Sequence, residues 1–429
     1  MKPAILGGAP AVSSEKEELF HWPIVTQEDI DAVTEVLRAG TMSGTTITKE
    51  FERRFADFLG VRHALGFCNG TASLLAAMWA CGVGMGDEII CPSMTYWASA
   101  APALTLGAAV VFCDIHRETL CIDPDDIEHR INGRTRAIVV VHYAGRPAPM
   151  DRVMEIARRH GVRVIEDNSH AHGALYRGAR TGAVGDIGAM SLMAGKGFPV
   201  GEGGIITTND RTLYERCVAF AHYERTGAPS RFNPPDAQIT DPELKTFAGI
   251  PLGAMKGRMN QTCSAMGLTQ LKAFPRRMQD IQEGMNLFWE FLDGVPGLRP
   301  HRIPPDQGTM GAWYYPQGLY HAEELGGTTA EDFSRAVNAE GVRWCFPGGN
   351  SPLHLHPYFF QSDIFRTGKP TVQAFHRDFR RQNPGELPVS ESIHEIALAV
   401  PWFKRPDRPE IRRYAEAFTK VAEHFHRLP

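Results

Sequence analysis

The chain has 429 residues, 43% of them hydrophobic and 22% charged, which suits a globular chain of one large domain plus a smaller one. Its formal net charge of -4 excludes a broad grip on phosphate backbones, so no nucleic-acid partner is expected. The longest uncharged run, Trp97 to Cys113, contains Pro102, Thr105 and Gly107 and falls short of a membrane-spanning helix.

Residues 1–40 are read as an N-terminal arm. Met1 to Pro10 lack a basic segment followed by an apolar run, so no signal peptide is predicted. From about His63 to Asn209 short apolar runs alternate with helical ones. Leu65–Cys68 reads as a strand and Thr71–Cys81 as a helix rich in Ala and Leu. Glu88–Cys91 is a second strand, Tyr96–Leu106 a helix and Ala109–Cys113 a strand. Ala137–His142 is a continuous apolar strand, Met150–His160 an amphipathic helix and Val162–Glu166 the next strand. Ile187–Leu192 and Gly204–Thr208 follow.

Fully apolar strands separated by helices predict an α/β fold with a mostly parallel sheet covered on both faces. A large domain is expected over 41–275. The polar stretch Thr226 to Met255 reads as a loop excursion. A smaller α/β domain is expected over 276–429, with helices near Met278–Leu292, Ala330–Glu340 and Ile411–His424. The eight cysteines show no C-x-x-C pair, and no His/Cys cluster has metal spacing. They predict reduced thiols of a cytoplasmic protein and no metal.

In parallel sheets, ligands sit beyond the carboxyl ends of the strands. Four features fall there. Asn69-Gly70-Thr71-Ala72 follows a strand and opens a helix, so its backbone N–H groups and the positive helix end suit a phosphate. Pro92-Ser93-Met94-Thr95-Tyr96-Trp97 offers an aromatic to stack on a flat ring. Glu166-Asp167 ends a strand, and an anionic Asp there keeps a pyridine nitrogen protonated. Ser191 and Lys196 follow another strand. The hydroxyl suits a phosphate, and an amine in a partly dry pocket loses its proton readily and attacks an aldehyde. Taken singly, an N-cap turn, a core aromatic, a buried Asp and a surface Lys are the commoner explanations. Their order along the sheet points to one site.

At these residues the sequence resembles the DegT/DnrJ/EryC1/StrS family, the sugar aminotransferases among fold-type I pyridoxal 5'-phosphate (PLP) enzymes. The likeness runs from about Trp22 to Val421. It is anchored on NGTASL (69–74), PSMTYWA (92–98), EDNSHAHGA (166–174), SLMAGKGFPVGEGG (191–204) and GRMNQTCSAMGLTQL (257–271). The resemblance implies a seven-stranded sheet and assigns roles. Lys196 matches the Schiff-base lysine, and Asp167 the partner of the pyridine nitrogen. Tyr96 matches the stacking aromatic. Thr71, Ala72 and Ser191, in the turn that Asn69 and Gly70 open, match the phosphate ligands. His170 stands where the family usually has Gln, beside the cofactor's phenolic oxygen.

Lys256 stands where many members carry an Asn that reaches the neighbouring subunit's phosphate. A point charge serves the same anion, and the cyclitol branch shares it. A homodimer with shared active sites is therefore expected. Asn168-Ser169 replaces the more usual pair of small residues. The related sugar dehydratases carry His in place of Lys196, so its retention favours amino transfer over dehydration.

The expected reaction moves an amino group from glutamine or glutamate to a keto-cyclitol or keto-sugar, alternating PLP with its amine form, in aminocyclitol or aminosugar biosynthesis. A nucleotide-linked keto-sugar for surface polysaccharide is the alternative acceptor, and dehydration or other PLP chemistry on the same fold is the alternative reaction. His142 and Tyr143, after a strand, and His354 and His356, in the segment Pro352–Pro357, are candidate acceptor contacts, since neutral imidazoles both donate and accept. Trp313 and Trp344 are further candidates, with core packing as the alternative for either.

Overall fold

A computed structural model describes residues 2–228, 236–376 and 378–427. Its centre is a seven-stranded sheet. The strands are β1 (His63–Phe67), β2 (Glu88–Pro92), β3 (Ala109–Cys113), β4 (Thr135–Val141), β5 (Arg163–Asp167), β6 (Ile187–Ser191) and β7 (Gly204–Thr208). Their order is β1-β7-β6-β5-β4-β2-β3. Only β7 runs against its neighbours, pairing antiparallel with β1 and β6. The other pairs are parallel.

The apolar runs exist because both faces are covered. In β4, Ala137 and Val139 enter one core cluster, whereas Ile138, Val140 and Val141 enter another, and all are buried. Helix α1 (Gly70–Ala80) and helix α2 (Arg211–Ala221) pack on the first face. Helix α3 (Gln261–Phe291) and the amphipathic Met150–His160 helix serve the other. A smaller, wholly antiparallel sheet of four short strands follows, formed by Leu298–Pro300, Gln317–Tyr320, Ala397–Ala399 and Phe346–Pro347.

Most predicted elements lie within a residue or two of the observed ones. Two differ in kind. The expected helix Tyr96–Leu106 is a single 3-10 turn at Trp97–Ser99 and a short helix at Pro102–Thr105. Pro102 has no N–H to continue a ladder and instead takes the first helical position of a new turn. The helix expected near Met278 begins at Gln261, capped by Asn260, and continues through Pro275 to Phe291. It therefore runs unbroken across the boundary expected near residue 275. In the stretch expected as a loop, Pro242–Lys245 form one helical turn, and residues 229–235 lie outside the described ones. No described helix is long and apolar enough to cross a membrane.

Candidate active site

A cavity of about 460 Å³ opens where β1, β2, β5 and β6 end, within the range of small-molecule sites. Its walls include Asn69, Gly70, Thr71, Tyr96, Asp167, His170, Ser191 and Lys196, so eight of the predicted cofactor residues meet there.

The turn at Asn69–Ala72 is built by close packing. Asn69 caps α1 by accepting from the Ala72 N–H at 2.8 Å. A Cβ on Gly70 would lie 2.7 Å from Ser191 Cβ, and one on Gly204 would lie 2.2 Å from the Asn69 oxygen. Only glycine lets the turn nest between β6 and β7. The Gly70 and Thr71 N–H groups, at the positive end of α1, have no partner among the described residues. The Ala72 N–H is taken up by the Asn69 cap, and Ala72 is not among the residues that line the cavity.

Asp167 is the last residue of β5 and is buried. Its Oδ2 accepts from Ser99 Oγ at 2.7 Å, and its Oδ1 accepts from the Ser169 N–H at 3.1 Å. Ser99 Oγ lies 3.0 Å from Thr95 Oγ1. Two side-chain hydroxyls from the segment after β2 thus stand behind the carboxylate.

Lys196 sits on a short loop closed by the Lys196 N–H on the Met193 carbonyl at 2.8 Å, and the Trp22 indole N–H donates to the Lys196 carbonyl at 2.9 Å. Its side chain is buried, and Nζ lies 4.1 Å over the Tyr314 ring. No carboxylate comes within ion-pair distance of it among the described residues. Burial pushes its ammonium down to about 8, and the charge of Asp167 pulls weakly upward.

His170 is buried and held well below the usual imidazole range, first by burial and then by Lys196 and His172. Its Nδ1 accepts from the Ala144 N–H at 3.4 Å. A neutral ring that accepts at Nδ1 carries its proton on Nε2, which makes that nitrogen a donor. Tyr96 is half-exposed at the cavity mouth, beside Trp97 with ring centroids 5.0 Å apart.

Several predicted contacts lie elsewhere. His142 Nε2 donates to Glu166 at 2.8 Å while Nδ1 accepts from the Ala148 N–H at 3.0 Å. Glu166 also accepts from the N–H groups of Gly182, Val184 and Gly185. Burial alone would raise that carboxyl, but these donors hold it below the usual range. His142 therefore braces β4 and β5 and does not line the cavity. Tyr143 is buried behind it and donates to Asn350 Oδ1 at 2.8 Å. His354 is buried between Ser93 and Glu391, at 2.7 and 3.1 Å. His356 is exposed, with Nδ1 accepting from the Tyr358 N–H. Lys256 is exposed, its Nζ 5.6 Å from the Tyr223 ring. Trp313 belongs to the core, whereas Trp344 is 55% exposed.

The site also contains residues that sequence reasoning missed: Thr95, Ser99, Tyr314, Tyr315 and Asn350. Tyr314 lies between two residues of left-handed backbone, Trp313 (φ 52°) and Tyr315 (φ 54°), a conformation bulky side chains rarely adopt. Such strain gathers at functional sites, but nothing in the local sequence announces it.

A seven-stranded, mostly parallel sheet with a buried lysine, a strand-end aspartate and a free helix N-terminus defines a fold-type I aminotransferase. More narrowly, the chain belongs to the DegT/DnrJ/EryC1/StrS aminotransferase family, whose sequence pattern matches residues 23–418. It is 34% identical to L-glutamine:2-deoxy-scyllo-inosose aminotransferase of Streptomyces kanamyceticus, over 94% of this chain and 93% of that one. It is 32% identical to the spore coat polysaccharide biosynthesis protein SpsC of Bacillus subtilis, over 79% and 85% of the two chains. Among solved structures, the aminotransferase from Psychrobacter cryohalolentis superposes with a TM-score of 0.79 at 26% identity, covering 95% of this chain and all of that one.

Proposed function

We propose that this chain uses PLP to move an amino group from glutamine or glutamate to a keto-cyclitol or keto-sugar, in aminocyclitol or aminosugar biosynthesis. The observation that carries this reading is Lys196: a buried amine without an anionic partner among the described residues, in a cavity that also holds Asp167 and the Gly70 and Thr71 N–H groups, likewise without partners among the described residues. The residues fit the cofactor at each end. The α1 N-terminus, Thr71 and Ser191 suit its phosphate. Asp167 suits its ring nitrogen, and the Nε2–H of His170 suits its phenolic oxygen. Tyr96 offers a face for the ring.

When bound, PLP supplies an aldehyde that takes up the amino nitrogen and a ring that draws electrons from the carbon being deprotonated. Lys196 Nζ is the atom of attachment. With PLP held there, the same amine, once displaced, would serve as the base and acid that carries the proton from the donor's α-carbon to the former aldehyde carbon across the shared nitrogen. An amine held near 8 is suited to both duties at neutral pH. Ser99 Oγ and the Ser169 N–H hold the Asp167 carboxylate in place. The Tyr314 ring, 4.1 Å from Nζ, covers one side of the amine.

The keto-cyclitol is the first choice of acceptor, supported by the similarity to the 2-deoxy-scyllo-inosose aminotransferase of Streptomyces kanamyceticus. The relationship to the spore coat polysaccharide protein favours a nucleotide-linked keto-sugar as the second reading. Tyr314, Tyr315 and Asn350 are the acceptor contacts this reading adopts in place of His142, Tyr143, His354 and His356. We also read the protein as a homodimer in which the exposed Lys256 reaches the partner's phosphate site, and as cytoplasmic, in keeping with eight free cysteines. The test is an absorbance spectrum of the PLP-loaded protein. A visible band is expected that disappears on adding glutamine or glutamate, returns with a keto-cyclitol, and is missing in Lys196→Ala. A wild-type protein that shows no such band would overturn the reading. Light scattering checks the dimer, and full activity in a monomer would sink that part.

A further inference from the structure

A second cavity of about 300 Å³ lies directly beside the first. Tyr314 and Tyr315 line both, and Gly195, next to Lys196, lines the second. Most of its wall is aromatic: Trp22, Trp344, Trp402, Phe20 and Phe346 join the two tyrosines. The wall is continuous with the catalytic lysine. Lys196 Nζ is 4.1 Å over the Tyr314 ring, Tyr314 meets Trp402 edge-on with centroids 5.7 Å apart, and Trp402 lies 5.6 Å from Trp22.

At the base of this aromatic box is Lys404. It is only 5% exposed. Its Nζ donates to the Trp402 carbonyl at 3.1 Å and lies 3.0 Å from the centre of the Trp402 ring. No carboxylate pairs with it among the described residues. Burial holds its ammonium well below the ordinary lysine range. The amine is held by one hydrogen bond and by the Trp402 and Trp22 rings, 3.0 and 5.7 Å from its Nζ, and the catalytic cycle does not use it. It has spare capacity to donate and, when neutral, to accept.

The first cavity must hold both the cofactor and the reacting ketone. The second is thus additional room, reached across two shared tyrosines. Flat indole faces suit the C–H face of a saturated ring, and a neutral or weakly charged amine suits its hydroxyls. A mostly apolar wall with a single amine suits a dianionic phosphate poorly.

We propose that this aromatic box is a subsite for a second polyol ring, carried on the acceptor at the side remote from its ketone, with Trp344 and Trp402 as stacking faces and Lys404 as the hydroxyl partner. The acceptor is then a glycosylated keto-cyclitol or keto-sugar, and the enzyme follows a glycosyl-transfer step. This rests on the aminotransferase reading above and narrows its substrate.

The test compares scyllo-inosose with its O-glucosyl derivative, glucosylated across the ring from the ketone, and with the corresponding phosphate, using the PLP-loaded protein and glutamine. The expected result is a KM about tenfold lower for the glucoside than for the single ring, the combined effect of one ring-face contact and one hydrogen bond. Trp344→Ala, at a half-exposed position where folding is not at stake, and Lys404→Met should each remove most of that advantage. Neither should change the glutamine-driven loss of the visible band. Equal KM values for glucoside and single ring overturn the proposal, as does a preference for the phosphate. A protein inactive on every acceptor, without response to glutamine, indicts the aminotransferase reading. Titration of tryptophan fluorescence with the glucoside then still decides the subsite: saturable quenching lost in Trp344→Ala supports it, and no quenching overturns it.

Discussion

Ser99 Oγ donates to Asp167 Oδ2 at 2.7 Å, and both groups are buried. The bond ties the segment after β2 to the end of β5, across the parallel sheet. It also satisfies a carboxylate whose desolvation would otherwise be costly. A hydrogen bond to a charged group is worth about 1.5–3 kcal/mol. Ser99→Ala is therefore expected to weaken PLP binding by about tenfold or more, measured by absorbance titration, whereas Ser99→Thr keeps the hydroxyl and most of the affinity. Unchanged PLP affinity in Ser99→Ala would show that Asp167 needs no such support.

The depressed Lys196 ammonium sets the pH at which the empty protein takes up PLP. Only the neutral amine attacks an aldehyde. The rate of band formation should rise through about pH 8 and level off above it, rather than climbing toward the ordinary lysine value of 10.5. The stability effect has a definite sign. Between pH 8 and 10.5 the unfolded chain binds more protons at this lysine than the folded one, so its contribution to stability rises with pH across that window. The difference in denaturation midpoint between wild type and Lys196→Met, followed with pH, isolates it. A difference independent of pH would contradict the assignment.

Glu166 and His142 form a buried pair that braces the sheet. Glu166→Ala leaves His142 and three backbone N–H groups without their acceptor, and a loss of about 3–5 kcal/mol is expected in urea denaturation. Because Glu166 is held below the usual carboxyl range, its contribution is present above its unfolded value of 4.5 and is lost as pH falls through the lower folded value. His142→Gln should lower the urea midpoint while leaving the acceptor KM unchanged. A raised KM at constant stability would return His142 to the substrate site.

Gly70→Ala tests the phosphate turn. The new Cβ would lie 2.7 Å from Ser191 Cβ and 2.8 Å from Ser191 Cα, so backbone has to shift. Overpacking of this kind costs about 1–3 kcal/mol. The larger expected effect is on the cofactor, because the displaced groups are the ones proposed to hold its phosphate. PLP affinity should fall more than the denaturation midpoint of the PLP-free protein. The reverse order would mean that the turn only packs.

The site was legible where local pattern and function coincide. An apolar run followed by a polar turn marks a strand end, and that rule alone located Asn69, Tyr96, Asp167, Ser191 and Lys196. It failed for the histidines. His142 follows a strand as closely as Asp167 does, but its partner is Glu166 on the adjacent strand, and pairing of that kind has no trace in local sequence. His354 likewise finds Ser93 across 261 positions. Ser99 was hidden in a segment read as continuous helix, which Pro102 interrupts.

By itself, the sequence determined the parallel sheet, the capped turn at Asn69–Ala72 and the placing of Asp167 and Lys196 at strand ends. These are properties of short stretches: side-chain periodicity, a cap, a charge set in an apolar context. Only the tertiary structure decided which polar groups are free to act. Tyr314 reaches Lys196 from a segment far along the chain, on a left-handed backbone. Lys404, one lysine among several in the sequence, becomes a buried amine in an aromatic box, without a carboxylate partner among the described residues. Desolvation and partnering depend on neighbours brought together by folding, so a residue's availability is settled by packing rather than by its type or spacing.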